Sequence, residues 1–181
     1  MCTTSPAVTE VLIPDDSAIR FIYQSVDLSD AYSIDLPPGT STDPEQLARH
    51  VFAHQAFWVS GLMTVRDLAV SGFGLKTIKR LKSLNPEAAK DRVGIFKIYS
   101  KRHHEIILGE DDKHLDFRLS VYLVAQGETT IGNRLVLSTV VHCHNLLGHA
   151  YIVAIEQFHR LIVKSSLRRA AIAGWPRAQN L

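Results

Sequence analysis

The sequence predicts an α+β fold: a curved antiparallel β-sheet gripping one long C-terminal α-helix, with a second helix after the first strand. Three observations carry this. Lys113 to Val124 and Arg134 to His144 alternate apolar and polar side chains with the period of two of a half-buried strand. The two segments can be paired antiparallel so that one shared face is almost wholly apolar. Asn145 to Ala173 then repeats apolar residues at helical spacing, and at about 1.5 Å per residue it would span a whole sheet.

Taken in order, residues 1–16 read as an N-terminal tail, residues 17–173 as a single domain and residues 174–181 as a C-terminal tail. Ser17 to Ser25 has the makings of a helical turn. Asp30 to Leu36 alternates as a first strand, with Ala31, Ser33 and Asp35 opposed to Tyr32, Ile34 and Leu36. Asp43-Pro44-Glu45-Gln46 signals a helix start, because Asp43 can accept from the N3 amide, Pro44 suits N1 and Gln46 can close a capping box. Leu47, Val51, His54, Trp58, Leu62, Val65 and Leu68 continue one apolar face towards a stop near Gly72 or Gly74. Lys76, Lys79, Arg80 and Lys82 follow in a connector without interleaved aromatics, the pattern of a solvated helical face or loop rather than of a phosphate or membrane site.

Val93 to Leu108 reads as one strand, turned back on the next by Gly109-Glu110-Asp111-Asp112. Pairing across that turn brings His103 and Glu105 near Arg118 and Asp116 but leaves Arg102 and His104 awkwardly on the apolar side. The register of the last two strands is firmer: it sets Leu115 against Cys143, Phe117 against Val141, Leu119 against Thr139, Val121 against Leu137 and Leu123 against Leu135. Asn145 is a good N-cap for the final helix, whose face is read as Leu147, Tyr151, Ile155, Phe158, Ile162 and Leu167; Gly174 and Pro176 end it.

A chain of 181 residues fits one domain, and 46% apolar with 21% charged residues is ordinary globular composition. A formal charge of +2 gives no ground for a nucleic-acid or membrane partner. Neither a secretory signal nor the roughly 18 apolar residues of a membrane span is found, and Cys2 and Cys143 are placed unsuitably for a bridge, so a cytoplasmic location is expected.

The same register gathers polar residues on the other face: His114 opposite His144, Asp116 opposite His142, Arg118 opposite Val140. His114, Asp116, Arg118, His142 and His144 form a cluster suited to acid/base work or anion binding, or to a polar network that pins the strands. No recognised zinc spacing is present, and no metal or cofactor is expected. His159 borders the helix–sheet interior or packs there. Trp58, with Phe57, Tyr151 and Phe158, either walls a pocket or serves as core.

Asp30-Ala31-Tyr32 with Leu36-Pro37-Pro38-Gly39, the run Asp111 to Arg118, Val141 to Asn145, and Phe158 to Val163 together resemble a bacterial family known as domain of unknown function 2867, over roughly 17–169. Departures fall at His149, where a basic residue is expected, and at Gln157, where a proline is. The resemblance implies a START-like, helix-grip fold, whose domain sometimes follows an NAD-dependent reductase or epimerase domain; no dinucleotide fingerprint occurs here. Three functions follow as expectations. One is a binding module for an apolar or amphipathic small molecule, with Trp58, Asp116, Arg118, Tyr151, Phe158 and His159 as candidate contacts. The second is an enzyme using the His/Asp/Arg cluster. The third is an interaction domain, acting as a homodimer or as partner of a separate reductase.

Overall fold

The computed structural model describes residues 6–54, 91–125 and 132–178. Among them lie seven strands in one antiparallel sheet: β1 (Thr9–Glu10), β2 (Leu28–Leu36), β3 (Arg92–Val93), β4 (Phe96–Lys101), β5 (Glu105–Asp111), β6 (Leu115–Val124) and β7 (Asn133–Cys143). Their spatial order is β1-β2-β7-β6-β5-β4-β3, so the last strand lies between the N-terminal pair and the central meander. Helix α1 covers Pro44–Ala53 and helix α2 covers Leu146–Ala173. The fold is α+β, a curved antiparallel sheet with a long C-terminal helix.

The β6–β7 register is the expected one residue for residue, from Leu115 opposite Cys143 to Leu123 opposite Leu135. The physical reason is the period of two: a slip by one would have turned Leu119, Val121, Leu135 and Leu137 to the polar side. These four, with Tyr32, Ile34 and Leu36 of β2, Ile106 and Leu108 of β5, Leu47 and Val51 of α1, and Val163 and Leu167 of α2, form the main core. Burying each such side chain contributes roughly 1.5–3 kcal/mol.

Several expectations are corrected. Val93 to Leu108 is not one strand: β4 and β5 are separate, and Arg102, His103 and His104 sit exposed in the loop between them. That loop removes the awkward placement of Arg102 and His104, since neither faces the core. It also takes His103 away from Arg118, and Glu105 pairs with Tyr122 instead. The next turn lies at Asp112 to His114, because Gly109, Glu110 and Asp111 are still paired in β5. Gly109 is needed there: a Cβ would come within 2.2 Å of the Phe117 carbonyl oxygen.

The stretch before Pro14 supplies β1, which pairs with β2, while Val8 packs on the main core. Ser17 to Ser25 contains a short 3-10 helix, Ala18–Phe21. At α1, Asp43 accepts from the Glu45 amide at 2.8 Å, and its own N–H goes to Ser41 Oγ rather than to Gln46. Beyond His54 the rest of the expected apolar face, Trp58, Leu62, Val65 and Leu68, together with Phe57 and the basic connector to Lys90, lies outside the described residues. The residues after α2 are docked: Trp175 packs on the core, and the Ser41 N–H donates to the Pro176 carbonyl at 2.7 Å.

Helix α2 starts and stops where its caps predict, with Asn145 Oδ1 accepting from the Gly148 N–H at 3.1 Å. Its buried face overlaps the expected one in part: Leu167 is in the core, and Tyr151 and Ile155 pack against the cluster of Val141, Cys143 and Ile152. Gly148, Ile152, Val163, Ser166, Leu167 and Ala170 are buried, whereas Phe158 is 52% exposed. At the entry of the helix Gly148 lies so close to the His114 carbonyl oxygen that a Cβ would meet it at 2.2 Å. No described helix is long and apolar enough to cross a membrane.

Candidate functional site

The two sides of the sheet carry different polar chemistry. On the side gripped by α2, Asp30 and Thr139 face each other across β2 and β7, next to the Tyr32–Leu137 pair. All three polar residues stand in rows that are otherwise apolar: Ile34 and Leu36 in β2, Leu135, Leu137 and Val141 in β7. From α2, His159 Nε2 reaches Asp30, 3.4 Å from Oδ1 and 3.3 Å from Oδ2, and only the Oδ1 contact has hydrogen-bond geometry. Arg160, the next residue, bonds Glu156 at 2.7 Å, and the Lys164 ammonium sits 5.0 Å above the Tyr32 ring.

This seam is under-satisfied. Asp30 Oδ2, the Tyr32 hydroxyl, Thr139 Oγ1, Arg160 Nε and Ser166 Oγ are buried without a hydrogen-bond partner among the described residues. Buried polar atoms are normally paired with protein or ordered water, and leaving one unpaired costs about 1–3 kcal/mol. Burial, reinforced by the Asp30 carboxylate, pushes the Tyr32 phenol up to about 12. The neutral phenol is therefore available as a donor over the working range of pH.

On the other side, the expected cluster is partly roofed by the N-terminal segment, where Ile19 packs with Ile107 and Val140, flanked by Ile22, Tyr23 and Tyr99. The Arg118 guanidinium lies 3.7 Å from the Tyr99 ring centre and 5.6 Å from that of Tyr23, and donates to Asp111 at 2.7 Å. Asp111 also accepts from the Tyr99 hydroxyl at 2.7 Å. Burial pushes both phenols, Tyr23 and Tyr99, well above their usual range. Asp116 pairs with His144 at 3.1 Å rather than with His142 directly opposite. His142 turns instead to Ser25, at 3.1 Å, and Asp27, at 3.6 Å. His114 contacts Asn145, the α2 cap.

The deepest charge on this side is Glu105, whose carboxylate takes the Ser17 hydroxyl, the Ala18 N–H at 2.9 Å and the Ser120 hydroxyl at 2.6 Å. Such a network ties the N-terminal segment to the sheet centre.

The structure thus separates the expected binding residues. His159 lies in the gripped seam. Tyr151 is half-buried beside Ile152, Phe158 points outward, Asp116 and Arg118 are on the other side of the sheet, and Trp58 lies outside the described residues. Asp30 and Thr139 were missed as site residues. Their signal was present: each is a polar residue in an apolar alternation, Asp30 in phase with Tyr32, and Thr139 in phase with Leu137 and Val141.

A family described as "Protein of unknown function (DUF2867)" matches residues 22–166. No curated protein matches the chain.

Proposed function

The chain belongs to the DUF2867 family, and from that premise we propose that it is a START-like, helix-grip module binding a small amphipathic molecule at the seam between the sheet and α2. The observation that carries this reading is the set of buried polar atoms without a hydrogen-bond partner among the described residues, Asp30 Oδ2, Tyr32 hydroxyl and Thr139 Oγ1, at neighbouring positions under the helix. A ligand with a polar end bearing both donors and acceptors would satisfy them, while its apolar body would lie against residues such as Leu137 and Val163. Asp30, with His159 beside it, would accept from a ligand hydroxyl, amide or ammonium group. Tyr32 and Thr139 would supply neutral donors.

Native mass spectrometry of the freshly purified full chain tests the proposal. A retained small molecule is expected on the wild-type protein and is expected to be lost from an Asp30→Asn, Thr139→Val double variant that keeps the wild-type circular dichroism. A wild-type protein that carries no adduct, and whose seam atoms are all met by ordered water in a high-resolution crystal structure, would overturn it.

A further inference from the structure

At the end of the sheet, where β7 hands over to α2, three side chains of different donor type converge. Asp27, Cys143 and His149 each present one ligand atom, a carboxylate oxygen, a sulfur and an imidazole nitrogen, all within 4.8 Å of one another. They belong to three places in the chain: the residue before β2, the last residue of β7 and the first turn of α2.

The hydrogen bonding around them fixes the direction of two of these donors. His149 Nδ1 lies 2.9 Å from the Asn145 carbonyl oxygen. A carbonyl can only accept, so Nδ1 carries a proton, and Nε2 of a neutral ring is then a bare lone pair. That lone pair faces Asp27 Oδ1 at 3.0 Å. Two lone-pair atoms at this distance need a positive centre between or beside them, which is either a second ring proton or a metal ion. The other Asp27 oxygen is held by the Cys143 N–H at 2.6 Å, which anchors the carboxylate on the residue whose thiol completes the set.

We propose that Asp27, Cys143 and His149 form a binding site for a divalent transition metal of the zinc class. One thiolate, one imidazole and one carboxylate suit that class, and three protein donors leave a fourth position for water or a ligand. The His149 Nδ1–H bond to a backbone carbonyl is the outer-shell support usual for a metal-bound histidine. Bonds of about 2.0–2.3 Å to one ion place donors roughly 3.5 Å apart, so the most widely spaced pair need close by only about 1 Å. His149 is exposed and gives the ion a route in from solvent, while Cys143 is buried and shielded from other thiols. On binding, the S–H bond of Cys143 breaks, its proton passes to solvent and the S–metal bond forms; any second proton on the His149 ring leaves in the same way. The expected absence of a metal rested on the spacing of His114, Asp116, His142 and His144. None of these four belongs to the set.

The test is a titration of chelator-treated full-length protein with Co²⁺ and then Zn²⁺, in a Cys2→Ser background so that Cys143 is the sole thiol. One equivalent of Co²⁺ is expected to bind with a thiolate-to-cobalt charge-transfer band, bleached by Zn²⁺. Cys143→Ser is expected to abolish the band, and Asp27→Asn and His149→Gln to weaken binding at least tenfold. Since His149 is exposed, His149→Gln retains the fold even if the buried cysteine substitution does not. Zn²⁺ is expected to raise the melting temperature of the parent and to leave that of His149→Gln unchanged. A parent protein that shows no charge-transfer band, or a His149→Gln variant that binds as tightly as the parent, would overturn the site and leave a plain His149–Asp27 ion pair.

Discussion

The two faces of the sheet solve the same problem in opposite ways. On the face under the N-terminal segment, the buried charges are paired within the chain: Glu105 with two hydroxyls and an amide, Arg118 with Asp111 and two aromatic rings. Among the described residues only hydroxyls, those of Tyr23 and Ser138, lack hydrogen-bond partners there. On the face under α2, among the described residues, a carboxylate oxygen and a guanidinium nitrogen also lack a hydrogen-bond partner, beside three hydroxyls, those of Tyr32, Thr139 and Ser166. A satisfied network holds the fold together. An unsatisfied one, kept among apolar neighbours, is the feature on which the proposed binding site rests.

The comparison can be broken first at Glu105. Replacing it by Ala removes the acceptor for Ser17, Ala18 and Ser120 and leaves buried donors behind, so a loss of about 3 kcal/mol is expected in urea denaturation, with the N-terminal segment exchanging its amides faster. A loss below roughly 0.5 kcal/mol, the range of ordinary surface changes, would remove the distinction between the faces.

The Tyr32 phenol sharpens the contrast on the other side. Its folded pKa, raised from 10.0 to about 12, lies above the unfolded value, so the fold favours the neutral form. The corresponding stability is complete below pH 10 and is lost as pH rises from 10 to 12, by on the order of 2 kcal/mol. Denaturation midpoints of wild type and Tyr32→Phe should therefore diverge across that window, the variant losing less. Parallel curves would show that Tyr32 ionises freely.

The smallest effect has a sign that decides most. Thr139→Val replaces an unpartnered hydroxyl by a methyl group and should leave the ligand-free protein unchanged or about 1 kcal/mol more stable. Ser120→Ala, on the satisfied face, should cost about 1 kcal/mol by the same measurement. Equal losses from both would mean that the Thr139 hydroxyl is satisfied after all.

What was legible in advance follows the range of the forces involved. The β6–β7 register, the start of α2 at Asn145 and its end at Gly174 could be read because a two-residue alternation and a helix cap are written within a few residues of where they act. The buried face of α2 was legible only in part: Tyr151, Ile155 and Leu167 pack inward as expected, but Phe158 turns out while Val163 is buried, a choice among similarly apolar residues that helical spacing does not make. The division of Val93 to Leu108 was missed because Arg102, His103 and His104 carry no glycine or proline to mark a turn.

By itself the sequence determined an α+β sheet-and-helix protein with one apolar and one polar strand face, since periodicity depends only on neighbouring residues. Tertiary structure alone decided which distant side chains meet: Ser17 with Glu105, Asp30 with His159, and Asp27 with Cys143 and His149. These meetings depend on strand order, on β7 lying between β2 and β6, and on the angle at which α2 leaves β7. No short-range pattern encodes them, because each is fixed by the packing of the whole core.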